Sequence, residues 1–209
     1  MKVTVIGAGN MGSAFVKQLL QAGHQVKVAA RSAEKTSKLP AQAGLSVVPL
    51  AGAATDADVV VLATSYEQAV PALKAVGNLA GKVVLDITNP LTADYMGLTI
   101  GHSTSAAEEI AKAVPEATIV KGFNTVFAQV LAGGADLGQG QKVNVFLAAD
   151  QAEGKQAVAA LAASMGFVVV DAGPLKNARY LEPVAGLNIY LGYGAGLGTA
   201  MAPAWIHKA

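Results

Sequence analysis

Along the chain, short runs of β-branched and aliphatic residues alternate with alanine-rich segments whose apolar positions return every three or four residues. A period of two residues or a short apolar run marks a strand, and the longer period marks one face of a helix. The pattern predicts strands over Lys2 to Ile6, Gln25 to Ala29, Val59 to Leu62, Lys82 to Asp86, Thr118 to Lys121, Val143 to Ala148 and Phe167 to Val170, with a weaker one at Ser46 to Val48. In the first helix Met11, Phe15 and Leu19 share a face, Lys17, Gln18 and Gln21 lie elsewhere, and Gly23 suits the residue just past the end. Ser65 with Gln68, Ser105 with Glu108 and Asp150 with Glu153 each have the spacing of a capping box. Strand and helix in regular alternation predict an α/β, doubly wound, mostly parallel sheet with helices on both faces. After Pro174 the alternation gives way to a helical tail bearing Gly186, Gly192, Gly194, Gly196 and Gly198. The expected organisation is one domain over residues 1–209, of which 173–209 form a C-terminal helical extension.

Composition narrows the function classes. Hydrophobic residues make up 53% of the 209 positions, enough for a large core. Fifteen Lys+Arg against 14 Asp+Glu leave a net charge of +1, which argues against a nucleic-acid or anionic-membrane partner. The absence of cysteine removes disulfides, thiolate nucleophiles and cysteine-bound metal, and suits a reducing compartment. Glycine and asparagine interrupt VTVIGAG before any signal-peptide core, and the longest apolar run, Ala157 to Val170, is too short to span a bilayer. The chain is therefore expected to be soluble and cytoplasmic.

IGAGNMG places Gly7, Gly9 and Gly12 as G-x-G-x-x-G directly after the first strand and at the opening of a helix. This is the context in which the motif binds a dinucleotide. Gly7 allows the tight turn, Gly9 lets the backbone approach a pyrophosphate, and Gly12 lets helix and strand pack closely. The helix start at Asn10 and Met11 offers N–H groups and the positive end of a dipole. The similar GYGAGLG near the C-terminus has no following βαβ unit and reads as close helix packing.

Units built for NAD keep an acid about 20 residues past the glycines for the ribose hydroxyls. Here Arg31 stands 19 residues after Gly12, at the end of the second strand, in VKVAARSAEK. Its planar fork of donors, the Ser32 hydroxyl and the charge of Lys35 suit the 2′-phosphate of NADP(H). Arg31 on a solvated helix start with Ser32 as an ordinary N-cap is the competing reading. Glu34, four residues before Lys38, is better placed as a surface partner.

With these residues the chain resembles the NADPH-dependent reductases of the deazaflavin coenzyme F420 and the related cytoplasmic domain of six-transmembrane metalloreductases. IGAGNMG, AARS, ATSYEQA, LDITNP, VKGFNTV and MGFVVVDAG carry the likeness across nearly the whole length. The resemblance implies a Rossmann-type domain that holds NADP(H) and passes hydride between it and F420 or a flavin, FMN or FAD. It implies that Ala63, Thr64, Ser65 and Tyr66, together with Asn89 and Pro90, border the nicotinamide and its ribose. It implies too that Phe123, Asn124 and Thr125 lie where the two rings meet. Such a reaction draws its chemistry from the cofactors and needs no protein acid or base. That agrees with His24 in a turn, His102 in a loop and His207 near the end, none with a carboxylate or lysine partner at a suggestive spacing. Plainer roles stay open: Asn124 satisfying backbone groups at a strand end, Asp86 capping a turn, Pro90 shaping a loop, and Arg179 as a surface charge rather than a contact for an acidic cofactor tail.

Two other functions share these features. IGAGNMGSA is also very similar to the start of pyrroline-5-carboxylate reductases, but the tail after Pro174 is too short for their dimerisation domain. A redox sensor that binds NADP(H) without turnover would keep every glycine and Arg31. The glycine-bearing tail, which lets backbones approach, leads us to expect a homodimer.

Overall fold

The computed structural model describes residues 1–31, 33–37, 39 and 41–205. Six parallel strands form the main sheet in the order β3-β2-β1-β4-β5-β6: β1 is Lys2–Ile6, β2 Gln25–Ala29, β3 Leu45–Val47, β4 Val59–Leu62, β5 Val83–Asp86 and β6 Thr118–Lys121. The helices between them are α1 (Asn10–Gln21), α2 (Ala33–Ser37), α3 (Tyr66–Ala75) and α4 (Ala106–Ala113). The remainder comprises α5 (Ala128–Gly133), β7 (Asn144–Leu147), α6 (Ala152–Ser164), β8 (Val168–Asp171) and α7 (Ala178–Ile189), which continues into a π-helical turn at Tyr190–Gly194. This is the Rossmann-type strand order, and it reverses between β1 and β4, where a crevice opens beyond the strand ends.

Strand residues alternate between two cores because successive side chains point to opposite faces. Val59 and Val61 of β4 join Val3, Val5, Phe15 and Leu19 on one face, while Val60 and Leu62 join Ile6, Leu73 and Ile110 on the other. With all four β4 residues buried, helices cover both sides. α1 ends as its glycine suggests: Gly23, at φ 79°, donates to the Leu20 carbonyl, and His24 N–H donates to that of Leu19. Gln18, placed by its period away from the apolar stripe, is nevertheless buried, its amide donating to the Ala132 carbonyl at 3.2 Å.

Three features depart from the sequence pattern. β7 and β8 do not extend the parallel series but form their own parallel pair, joined to β6 by an antiparallel bridge with Lys121 N–H to Ala148 O at 2.9 Å and the reverse bond at 3.0 Å. At Ser65 the helix starts where expected, but the hydroxyl makes no cap bond and Gln68 N–H meets the Ser65 carbonyl instead. Asp150 caps no helix: α6 begins one residue later with Gln151 as N-cap, and the Asp150 carboxylate accepts from Leu175 N–H at 2.9 Å. The Ser105 box forms its forward half, Glu108 N–H to Ser105 Oγ at 3.2 Å, while the Glu108 carboxylate holds Arg179 at 2.7 and 2.8 Å. Arg179 therefore pins α7 to α4, in keeping with its surface reading. Lys38 and His207 lie outside the described residues. Among the described residues no helix is long and apolar enough to cross a membrane.

At the ends of β5 and β6, Lys121 sits fully buried between Asp86, at 3.0 Å, and Glu182 of α7, at 2.9 Å, with the Thr88 carbonyl as its third acceptor at 2.5 Å. Burial alone would lower the Lys121 pKa, but the two carboxylates outweigh it and the pKa is raised. Asp86 also accepts from Thr88 N–H, the turn-capping role expected of it, and Glu182 accepts from Ala106 and Ala107 N–H at the start of α4. Both carboxylates are held by the one cation and by backbone N–H groups, so removing the cation strands two buried carboxylates. Lys121→Met is expected to cost about 3–5 kcal/mol, read as a lowered midpoint in denaturant unfolding followed by circular dichroism.

Candidate functional site

The site begins with the turn that leaves β1. Gly7 has φ 106°, and a Cβ there would lie 2.4 Å from the Ala63 carbonyl oxygen at the end of β4. A Cβ on Gly12 would lie 2.1 Å from the Gly7 carbonyl oxygen, so α1 can cross the turn only on a bare backbone. Gly9 differs: nothing in the protein lies within 4 Å of a Cβ there, and its backbone is extended, as an alanine would allow. Two glycines are fixed by the fold and the third faces open space. α1 carries no side-chain cap and no acidic residue in its first turn, which leaves its N–H groups to an anion.

Around this turn runs a trough of three cavities. The first, about 730 Å³, holds Gly7, Gly9, Ala63, Thr64 and Ser65 on one side and Arg31 with Lys35 on another, with Leu50, Pro71 and Ala72 as an apolar wall. The second, about 870 Å³, shares Ala8, Gly9 and Lys35 with it and adds Lys17. The third, about 520 Å³, shares Asn10, Phe127, Ala128 and Tyr193 with the second and includes Met11, Asn89, Phe123, Asn124 and Thr125. Residues expected at the cofactor site from five separate segments therefore line three adjoining cavities across the strand ends. Gly12, Tyr66 and Pro90 line none of the three: Gly12 is buried in α1, Tyr66 packs on the second core, and Pro90 is buried with its carbonyl accepting from Thr99. Ser32 lies outside the described residues.

Asparagines fasten the third cavity. Asn89 Nδ2 donates to the Asn124 carbonyl at 2.9 Å, and Asn124 Nδ2 donates to Asn89 Oδ1 and to the Leu181 carbonyl of α7, both at 3.0 Å. Asn188 Nδ2 donates to the Thr125 carbonyl at 3.0 Å. Asn124 thus does satisfy backbone, and its own buried Oδ1 receives no hydrogen bond from the described residues. Phe123 adopts φ 57°, and its ring is buried edge-on between Phe15, at 5.0 Å, and Phe167, at 5.3 Å, so the ring belongs to the core rather than to a stacking face.

Sequence reading missed the far wall: Asp94, Tyr95 and Met96 from the loop after β5, Phe127 before α5, and Tyr193 from the π-helical turn. A Cβ on Gly192 would stand 2.7 Å from the Phe127 ring, so this tail glycine serves ring packing rather than contact between helices. The Tyr66 hydroxyl has a raised pKa, mainly from burial and further from Glu109, Glu182, Asp86 and Glu67.

A sheet of this order with a glycine turn at its switch point defines a dinucleotide-binding Rossmann-type protein. The family model for coenzyme F420-dependent NADP oxidoreductases matches residues 2–90. A crystal structure provisionally assigned as an F420-dependent NADP reductase from Arthrobacter sp. FB24 superposes with a TM-score of 0.89 at 30% identity, covering 99% of this chain and all of that one. The chain belongs to this family. It is 28% identical to the F420-dependent NADP reductase of Methanothermobacter thermautotrophicus over 91% of this chain and 89% of that protein. Rat metalloreductase STEAP3 is 31% identical over 88% of this chain, which spans 36% of that protein's length.

Two alanine variants separate the glycines. Gly12→Ala is expected to destabilise the fold by about 1–3 kcal/mol or more, because backbone must move. Gly9→Ala is expected to stay within about 0.5 kcal/mol of the parent. Thermal unfolding of both without ligand checks this.

Proposed function

We propose that the chain binds NADP(H) along the trough and catalyses hydride exchange between it and a deazaflavin or flavin seated in the third cavity. The observation that carries the reading is the open space at Gly9, within an uncapped helix start and opposite the cations Arg31 and Lys35. The residues fit the dinucleotide: a cradle that only a missing Cβ leaves clear, N–H groups for a pyrophosphate, an apolar wall of Leu50, Pro71 and Ala72 for adenine, and Arg31 for a 2′-phosphate. The cavity sequence then leads past Asn10 to Asn89, where Asn124 offers an unused acceptor.

When bound, NADPH supplies the hydride from its nicotinamide ring. The protein's part is to fix two flat groups at reacting distance and to keep water from between them. The asparagine bonds to the loops after β5 and β6 and to α7 hold the walls of that space in register. Thr64 and Ser65 line the first cavity, at the end of β4, on the dinucleotide's side of the trough.

Arg31→Ala removes binding that is equal in ground and transition states. It is expected to weaken NADPH by about 10- to 150-fold, seen as a raised KM with kcat little changed, and to narrow the preference over NADH. Gly9→Ala is expected to lose NADPH affinity while keeping its fold. Following nicotinamide absorbance with NADPH and FMN, FAD or coenzyme F420 tests the reaction. Tight NADPH binding with no oxidation by any acceptor would mark a sensor instead, and an unchanged coenzyme preference in the arginine variant would place the 2′-phosphate elsewhere.

A further inference from the structure

We propose that the third cavity selects an acceptor that is a flat ring without an anionic tail, and that Asp94 sets this preference. The inference rests on the reading of that cavity as the acceptor's seat. Its lining is apolar and aromatic: Met11, Tyr95, Met96, Phe127 and Tyr193, the last two ring-to-edge at 5.8 Å. Such walls suit the face of a fused ring. Asp94 is the one charged residue among the described residues that line it. The lysines and the arginine of the trough, Lys17, Arg31 and Lys35, line only the first two cavities.

Asp94 is fixed as well as charged. Its carboxylate accepts from the Thr92 hydroxyl at 2.6 Å and from Met96 N–H at 3.1 Å, inside a turn closed by Thr92 N–H to the Gly97 carbonyl. Both bonds favour the ionised form, and the pKa lies below the usual carboxylate range. Tyr95 next to it is held at φ 63°, a conformation that costs energy outside glycine and marks a turn whose shape the surroundings enforce. Among the described residues, Lys121 and Arg179 are already paired: Lys121 is shared by Asp86 and Glu182, which leaves that group one negative, and Arg179 is paired with Glu108. A phosphate or carboxylate on the acceptor would enter a field of its own sign.

The test is equilibrium binding to the intact chain loaded with NADP, measured by quenching of acceptor fluorescence, so that it does not depend on turnover. Two pairs isolate the tail: riboflavin against FMN, and the bare deazaflavin ring against coenzyme F420 with its phosphate and glutamates. The tail-free member of each pair is expected to bind more tightly, on the order of fivefold, with the gap closing as salt rises. Asp94→Lys is expected to reverse the order, and Asp94→Asn, which keeps the turn's acceptor, to remove most of the gap, with NADP affinity unchanged in both. Tighter binding of FMN or of coenzyme F420 by the parent protein, equal ratios in the variants, or no binding of any ring would overturn the inference. Ring binding with the expected ratios but no hydride transfer would instead defeat the proposed reaction and leave this preference standing.

Discussion

The α7 end of the trough is positioned by one buried cation. Lys121 has no route to water, so its three donors must find acceptors within the protein, and they do so on three different segments: Asp86 at the end of β5, the Thr88 carbonyl just beyond it, and Glu182 on α7. Because Glu182 also receives the first two N–H groups of α4, the same carboxylate sets the start of that helix. A salt bridge of this kind contributes little net stability over an apolar substitute, yet it tolerates very few arrangements of its partners. Its value here is positional. It fixes where α7 crosses the strand ends, and α7 carries Asn188 and leads into Tyr193, both on the wall of the third cavity.

The end at the glycine turn is governed by backbone proximity instead. Gly7 and Gly12 allow β1, α1 and β4 to meet within contact distance at the point where strand order reverses. Side chains are excluded there, so the polar groups the turn presents are main-chain N–H groups, and the nearest charged side chain of the cavity, Arg31, stands after the next strand over. The two ends therefore use different physics. One presents main-chain N–H groups and cations, the other an apolar lining with the single carboxylate of Asp94.

This contrast explains what could be read from the sequence. Strands were legible because a sheet covered on both faces leaves unbroken apolar runs, and Gly7, Gly9 and Gly12 were legible because their spacing follows from a single local turn. The direction of β7 was not, since strand pairing across a long connection leaves no mark on the residues that pair. Capping spacings at Ser65 and Asp150 misled because a side chain that can cap a helix can equally serve another segment: Asp150 turns to Leu175 N–H, across 25 positions in the chain. Lys121 was within reach. A lysine ending one apolar strand and an aspartate ending its neighbour, in register as Asp86 with Lys121, signal a pair wherever the two strands are adjacent. Glu182 and the Asp94 to Met96 wall were out of reach, because their role is set by how α7 and a loop fold over the sheet rather than by local pattern.

The distribution of charge has a consequence for how a two-ligand site can work without a protein acid or base. On the proposed reading the 2′-phosphate end of a dinucleotide would lie toward Arg31 and Lys35 and its nicotinamide end toward Asn89, so a trough with cations at one end and Asp94 at the other would favour one direction of binding. A second ring arriving at the far end would meet apolar walls and, among the described lining residues, no cation. Its position must then come from shape, through Tyr95, Met96 and Tyr193 on one side and the surface presented by Asn10 and Met11 on the other.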